Sequence, residues 1–96
     1  DGLIVSAWTP NLSDDSIAAA MSAALLNIGA NVVNQLELGD LRRVVVSGRV
    51  GDIVLTKAAD ELILSVITRE GASLGMAFLE LNRTRERIGK AMSESK

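Results

Sequence analysis

A run of 21 residues without a charged side chain, SIAAAMSAALLNIGANVVNQL, occupies positions 16–36 of this 96-residue chain. Charged residues make up 23% of the whole chain, so a run of this length needs contacts that exclude solvent. The run approaches the length of a membrane span, but serine, asparagine and glutamine recur along it and its alanines contribute little transfer free energy. It therefore predicts a buried helix of a soluble domain, with no membrane insertion.

The residues on either side of the run are typical of the two ends of a soluble helix. Ser13 is the expected N-cap, and Asp14 and Asp15 follow it where the helix dipole favours negative charge. Gly39 comes after the run and is the expected C′ residue, since glycine adopts positive φ without strain. We therefore expect one long helix between Ser13 and Gly39.

At 100° per residue this helix has three faces. Bulky side chains form an apolar arc, which we expect to pack on the protein's own core: Ile17, Met21, Leu25, Ile28, Val32 and Leu36. Mostly small side chains form a neighbouring small arc: Ala19, Ser22, Ala23, Leu26, Gly29, Ala30 and Val33. The remaining polar edge contains Ser16, Ala20, Asn27, Asn31 and Asn34.

The small arc lacks the lysine and glutamate that a solvent-facing helix surface normally carries. Small side chains let two helix backbones approach closely, and Gly29 in a helix interior costs about 1 kcal/mol relative to alanine unless a contact requires it. One reading is a central helix buried within a single chain, but 96 residues provide little material to cover it. The small arc thus predicts a homodimer in which two such helices pair across a two-fold axis, with the polar edges forming one outward surface for a partner.

The remainder of the chain predicts strands around this helix and a second helix at the end. Alternating and β-branched segments favour strands at 3–8, 42–47, 52–57 and 61–68, and the GRVG between the second and third is a hairpin signal. A final amphipathic helix is expected at 73–92, with Leu74, Ala77, Phe78, Leu81, Ile88 and Met92 on its buried face. We expect an α+β fold in the order β-α-β-β-β-α: an antiparallel meander with the central helix on one face and the C-terminal helix on the other, forming one domain over 1–92 with a disordered tail at 93–96.

Composition excludes several classes of function. The chain has no cysteine, histidine or tyrosine, which removes thiol chemistry, the commonest general base and most transition-metal sites. The absence of cysteine and of an export-like leader fits the cytoplasm. The basic residues all lie in 42–96, where seven acids are interspersed with them, so neither half resembles a nucleic-acid-binding surface. We expect a non-enzymatic protein with no cofactor, no metal and no nucleic-acid partner.

Four motifs have a chemical reading and a more ordinary structural one. Gly48 to Asp52 superficially resembles a phosphate-binding loop, but it lacks the Gly-Lys-Ser/Thr signature and lies between two strands, which favours a hairpin turn. The acid pairs Asp14-Asp15 and Asp60-Glu61 lie at a helix start and a turn, where acids are common without metal. Trp8 favours packing at a strand end over ligand stacking. The last helix carries a basic stripe that favours a solvated face over a phosphate site: Arg83, Arg85, Arg87 and Lys90.

The order of segments DGLIVSAW, LSDDSIAAAMSAALLNIG, LGDLRRVVVSGRVGDIVL and ELILSVITREGASLGMAFLEL resembles the Roadblock family of dynein light chains and their archaeal and bacterial relatives. The resemblance covers essentially the whole chain and implies a profilin-like Roadblock fold. Members form dimers that bind small Ras-like GTPases or serve as scaffolds in motor, motility and nutrient-sensing complexes. Family dimers place the two central helices side by side and pair one strand with its twin, which here implies contacts from Arg43, Val45 and Ser47.

The chain departs from the family pattern at its start. Typical members have an N-terminal helix and a first strand before the DG turn, whereas this sequence begins on the turn itself. If that strand is absent, the strand at 3–8 loses its usual neighbour and one face of the sheet lacks a covering helix. The uncovered surface is then a place where another chain docks.

The resemblance leads to a dimeric module that binds and regulates a small GTPase. The alternative is a structural subunit of a motor, motility or signalling assembly that does not contact a GTPase. An enzyme or small-molecule sensor on a profilin-like fold is a third reading, disfavoured because polar residues do not converge in any motif. The polar edge, Ser16, Ala20, Asn27, Asn31 and Asn34, is the expected docking surface, because Asn, Ser and Ala can be buried without desolvating a charge.

Overall fold

The computed structural model describes residues 2–9, 16–58 and 62–94. The elements follow in the order β1 (Leu3–Trp8), α1 (Ile17–Gln35), β2 (Val44–Ser47), β3 (Asp52–Ala58), β4 (Leu62–Thr68) and α2 (Leu74–Glu94). This is the predicted β-α-β-β-β-α order, and the strand boundaries differ from the predicted ones by no more than two residues. The predicted N-cap Ser13, the acid pairs Asp14-Asp15 and Asp60-Glu61, and the tail residues 95–96 lie outside the described residues.

The four strands form one antiparallel sheet in the order β1-β4-β3-β2. The predicted hairpin between β2 and β3 is confirmed: the Gly48 N–H donates to the Gly51 carbonyl at 2.8 Å. Gly51 passes so close to β4 that a Cβ there would overlap the carbonyl oxygen of Thr68. The turn therefore needs glycine at position 51, and β2 and β1 are the two edge strands of the described sheet.

The two helices cover opposite faces of this sheet, as predicted. One core cluster joins α2 to the sheet through Val54, Leu64, Val66, Ala77 and Leu81, all buried. The other places Leu26 of α1 on Leu55 and Ile63. Neighbouring residues of a strand point to opposite faces of the sheet, so Val54 belongs to the core under α2 and Leu55 to the core under α1. Each helix therefore needs one apolar face.

The two faces of α1 are reversed relative to the prediction. The apolar arc was expected on the protein's own core, but the exposed fraction is 74% for Ile17 and 59% for Ile28, and Met21, Val32 and Leu36 are exposed as well. Only Leu25 of that arc packs against a core cluster. The small arc instead faces the sheet, where the exposed fractions of Ser22 and Leu26 are 3% and 2%.

The contact between Gly29 and the sheet explains this reversal. A Cβ on Gly29 would lie 2.9 Å from Cγ2 of Val44 and 3.4 Å from Cδ1 of Leu41, so the helix backbone sits directly on branched side chains. The large side chains of this core come from the sheet, at Val44, Leu55 and Ile63. Because the interior is close-packed, the facing helix must carry small residues there. The small arc thus makes its close backbone approach to the sheet of the same chain, as in the reading of a central helix buried within a single chain.

Both ends of α1 differ from the predicted caps. Ser16 is the N-cap, and its hydroxyl accepts a hydrogen bond from the Ala19 N–H at 3.1 Å. At the other end the Leu38 N–H donates to the Val33 carbonyl at 2.8 Å and the Glu37 N–H to the Asn34 carbonyl at 3.2 Å. This is a Schellman cap with Glu37, at φ 56°, in the C′ position. Gly39 does adopt positive φ, 91°, but it lies two residues beyond the C′ residue.

The predicted buried face of α2 is confirmed at Ala77 and Leu81, and Leu74, Phe78 and Ile88 pack around them. Met92, predicted on the same face, is exposed. The helix begins after Ser73, whose hydroxyl accepts from the Met76 N–H at 3.1 Å. It continues to Glu94, two residues beyond its predicted end.

The fit of Gly29 against Val44 predicts a context-dependent effect of Gly29→Ala. Alanine is favoured by about 1 kcal/mol in a helix interior, but overpacking against a β-branched side chain costs about 1–3 kcal/mol. We expect Gly29→Ala to lower the free energy of unfolding by about 1 kcal/mol in the natural sequence and to raise it in a Val44→Ala background. Urea unfolding at a fixed protein concentration measures this cycle.

Gly89 of α2 provides the matched control, because a Cβ built there projects into open space, with no other part of the described structure within 4 Å beyond the adjoining helix backbone. Gly89→Ala should stabilise the protein by about 1 kcal/mol in either background. If Gly29→Ala has the same effect whether residue 44 is valine or alanine, the close contact between α1 and β2 is wrong.

Candidate functional site: an apolar helix face beside a free strand edge

The outward side of α1 is a large exposed apolar surface. It consists of the apolar arc without Leu25, that is, Ile17, Met21, Ile28, Val32 and Leu36. Soluble monomers rarely expose so many large apolar side chains next to each other, and such patches mark interaction sites. Among the described residues α1 is also the one helix long and apolar enough to span a membrane; that test uses length and composition alone, which the core helix of a soluble protein can also satisfy.

Beside α1 lies β2, whose second edge pairs with no other strand of the described sheet. Gly29 neighbours Val32 on the helix surface and contacts Val44 of β2. Val45 and Val46 of β2 are exposed. An unpaired strand edge with valine side chains is a template for pairing with another chain. The helix face and the strand edge therefore form neighbouring parts of one unsatisfied surface.

The polar edge of α1 is exposed, as its predicted docking role requires. Ser16, Ala20, Asn27, Asn31 and Asn34 all lie at the surface. The Ser16 hydroxyl is engaged as the helix cap. Asn27 and Asn34 lie on the opposite flank of the outward side from the apolar arc, each well over about 90° of helix rotation from the centre of that arc, whereas Asn31 lies only about 80° from it. Asn31 lines one open surface pocket with Ile28, Val32 and Leu36 of the arc. A partner can thus contact Asn27 and Asn34 without displacing the apolar arc.

The predicted dimer residues separate into two groups. Ser22 and Leu26 are buried against the sheet, and Ala19, Ala23, Gly29 and Val33 are half-buried there, while Ala30 is exposed. Arg43 lies just before β2 and holds its guanidinium carbon 4.4 Å from the centre of the Phe78 ring, a cation–π contact on the α2 side of the sheet. Val45 and Ser47 are exposed on the edge strand.

A second apolar surface lies on the sheet itself; the sequence led us to expect an uncovered sheet face but did not indicate which residues form it. The strand register aligns Ile4, Ile67, Ile53 and Val46 in one row across all four strands. The row lies on the α1 side of the sheet but beyond the helix, so Ile4 and Val46 are exposed and the two central isoleucines are half-buried. The alternation of each strand indicated an apolar face, but only the register shows that the four residues meet.

The charged side chains of the described residues do not form a metal-binding cluster. Within 2–9, 16–58 and 62–94 no group of three acidic, histidine or cysteine side chains comes together. In the basic stripe on α2, Arg87 forms an ion pair with Glu80 at 3.7 Å, and the Arg87 side chain is largely in solvent. Such an exposed ion pair contributes little to stability. The arrangement is suited to binding another macromolecule through apolar and uncharged polar surface.

Comparison with known proteins agrees with this architecture. The sequence model of the Roadblock/LC7 domain matches residues 1–68. No curated protein sequence matches the chain. Among solved structures, the Roadblock/LC7 domain from Streptomyces avermitilis superimposes with a TM-score of 0.72 at 16% sequence identity, covering 96% of this chain and 84% of that one.

That likeness shows the fold, and the family match over most of the chain shows the relationship. Roadblock/LC7 domains are generally small, non-enzymatic protein–protein interaction modules, in keeping with a surface made of an apolar helix face and a free strand edge. The chain belongs to the Roadblock/LC7 domain family.

Proposed function

We propose that this domain is a non-enzymatic homodimeric module of the cytoplasm that docks and regulates, or scaffolds, a small Ras-like GTPase. The observation that carries the proposal is the exposed apolar arc of α1 beside the free edge of β2. The arc is too apolar to remain in water, and a second copy of the chain presents the same surface, so the two can cover one another in an isologous interface.

The proposed interface differs from the one expected from sequence. It is centred on the exposed residues of the apolar arc instead of the small arc, which the sheet already covers: Ile17, Met21, Ile28, Val32 and Leu36. Fully burying an aliphatic side chain of this size contributes about 1.5–3 kcal/mol. Several such side chains from each copy, with pairing between the two β2 edges, offset an association cost of about 4–15 kcal/mol. An interface of this kind buries the apolar side chains of α1 against protein, with no need for a membrane.

The polar edge is the proposed docking surface for the GTPase. Pairing two α1 helices duplicates the edge on one outward side of the dimer. Asn27, Asn31 and Asn34 can each donate and accept hydrogen bonds without the desolvation penalty of a charged side chain. The domain needs no nucleotide site of its own for this role, because the partner binds the nucleotide.

Dimerisation predicts that Ile28→Asp splits the dimer. The carboxylate would have to lose its hydration on both sides of the interface, at several kcal/mol per ion, so the dimer dissociation constant should rise at least about a hundredfold. Light scattering of the natural protein at about 10 μM, with dilution in an analytical ultracentrifuge, measures this.

Leu79→Asp is the control, because Leu79 on α2 is 56% exposed, much like Ile28 at 59%, but lies on the other helix. This variant should remain dimeric. A folded natural protein that is monomeric at 10 μM, or an equal effect of the two variants, would contradict the proposed interface.

Docking through the polar edge predicts that Asn34→Arg weakens GTPase binding without splitting the dimer, because Asn34 is exposed and lies on the flank of α1 away from the apolar arc. The long charged side chain would overlap the partner and bring an unpaired charge into the contact. We expect the dissociation constant to rise about tenfold or more, measured by calorimetry with small Ras-like GTPases of the source organism loaded with GDP or a GTP analogue. Asn82→Arg, the same change at an exposed asparagine of α2, should bind as the natural protein does.

If Asn34→Arg binds the GTPase normally, the partner docks elsewhere on the dimer. If the natural dimer binds none of these GTPases in either nucleotide state, the GTPase role is wrong, and a scaffold role without GTPase contact takes its place.

A further inference from the structure

Three basic side chains from separate parts of the chain line one small, largely enclosed pocket at the end of β3. Arg42 comes from the segment before β2, Lys57 from β3 and Arg85 from α2. None of the residues that line this pocket is acidic. Arg85 belongs to the predicted solvated stripe of the C-terminal helix, yet in the structure it shares a pocket with Asn27 of the polar edge.

The interior of the pocket is apolar and well anchored. Leu26, Ala30 and Leu41 form its apolar wall, and Leu26 belongs to the core cluster under α1. Thr56 donates a hydrogen bond from its hydroxyl to the Arg42 carbonyl at 2.8 Å, which ties the segment carrying Arg42 to β3. The backbone on both sides of the pocket is thus fixed, while the three cationic side chains are exposed at its rim.

We propose that this pocket receives an acidic side chain of a protein partner, with a neighbouring apolar side chain of the partner packed on its wall. The proposal rests on the proposed docking function and adds the chemistry of the partner: an aspartate or glutamate next to an aliphatic residue. Guanidinium groups bind carboxylates through paired hydrogen bonds, and the exposed Asn27 amide supplies a further donor. A free phosphate can bind the three cationic side chains, but it has no apolar group to pack on the wall formed by Leu26, Ala30 and Leu41.

The pocket adjoins the polar edge, so a partner lying on Asn27, Asn31 and Asn34 can reach it. Asn27 belongs to both surfaces, since it lies on the edge and lines the pocket. The acidic contact would then fix the register of a partner whose other contacts are uncharged, because opposite charges set specificity and orientation at an interface.

Amide chemical-shift mapping of the natural dimer tests the proposal with three probes: the peptide acetyl-Leu-Glu-Leu-Glu-Leu-amide, the same peptide with glutamine for glutamate, and inorganic phosphate. We expect the glutamate peptide to shift the signals of Asn27, Lys57 and Arg85 in a saturable way and the glutamine peptide to bind about tenfold more weakly or not at all. Combined Lys57→Gln and Arg85→Gln should weaken the glutamate peptide at least about tenfold. The control, Arg83→Gln with Lys90→Gln, removes the same charge outside the pocket and should change binding less than about twofold.

Three results would overturn the proposal. If the two peptides bind equally, charge is not recognised. If phosphate shifts the same signals as strongly as the glutamate peptide, the pocket is a general anion site. If the control variant weakens the peptide as much as the pocket variant, net charge and not the pocket attracts it. The peptide titration needs no GTPase, so its failure is separable from a failure of GTPase docking, which Asn34→Arg tests outside this pocket.

Discussion

The close approach of α1 to the sheet determines which side of the helix is exposed. Gly29 lies against Val44 and Leu41, and this contact requires the small arc to face inward. Rotating α1 to bury the five exposed residues of its bulky arc would force these large side chains into the space that one glycine and several small residues now fill, and interiors packed near crystal density do not accommodate such a change. The bulky side chains are consequently left outside.

This constraint leaves the isolated protomer with three unsatisfied features on one side: the apolar arc, the β2 edge, and the row of Ile4, Ile67, Ile53 and Val46. Among the described residues, α1 is covered on its sheet side only. In the proposed dimer, pairing of two copies covers the arc and the edge at once. The proposed docking surface, the polar edge, then remains outward beside the basic pocket.

Local features were predictable from the sequence because their causes are local. The β2–β3 hairpin follows from GRVG between two valine- and isoleucine-rich segments, and the order of elements follows from apolar periodicity. The outward face of α1 was not predictable in this way, because both arcs of the helix are apolar and periodicity cannot rank them. The small arc faces inward because Val44 and Leu41 pack against Gly29. These two residues follow α1 in the chain, and their shape is not visible in the periodicity of the helix. The basic pocket was also missed, since Arg42, Lys57 and Arg85 are brought together by tertiary structure and share no motif.

The chain has no cysteine, so single introduced thiols report directly on which face of α1 meets a second copy. A short bis-maleimide added to Ile28→Cys and, separately, to Ser22→Cys under native conditions measures this on a denaturing gel. This orientation of α1 predicts cross-linked dimer for Ile28→Cys, near the middle of the exposed arc, and unreacted monomer for Ser22→Cys, whose side chain is buried on the sheet. Cross-linking through residue 22 and none through residue 28 would contradict it, and would return the interface to the small arc.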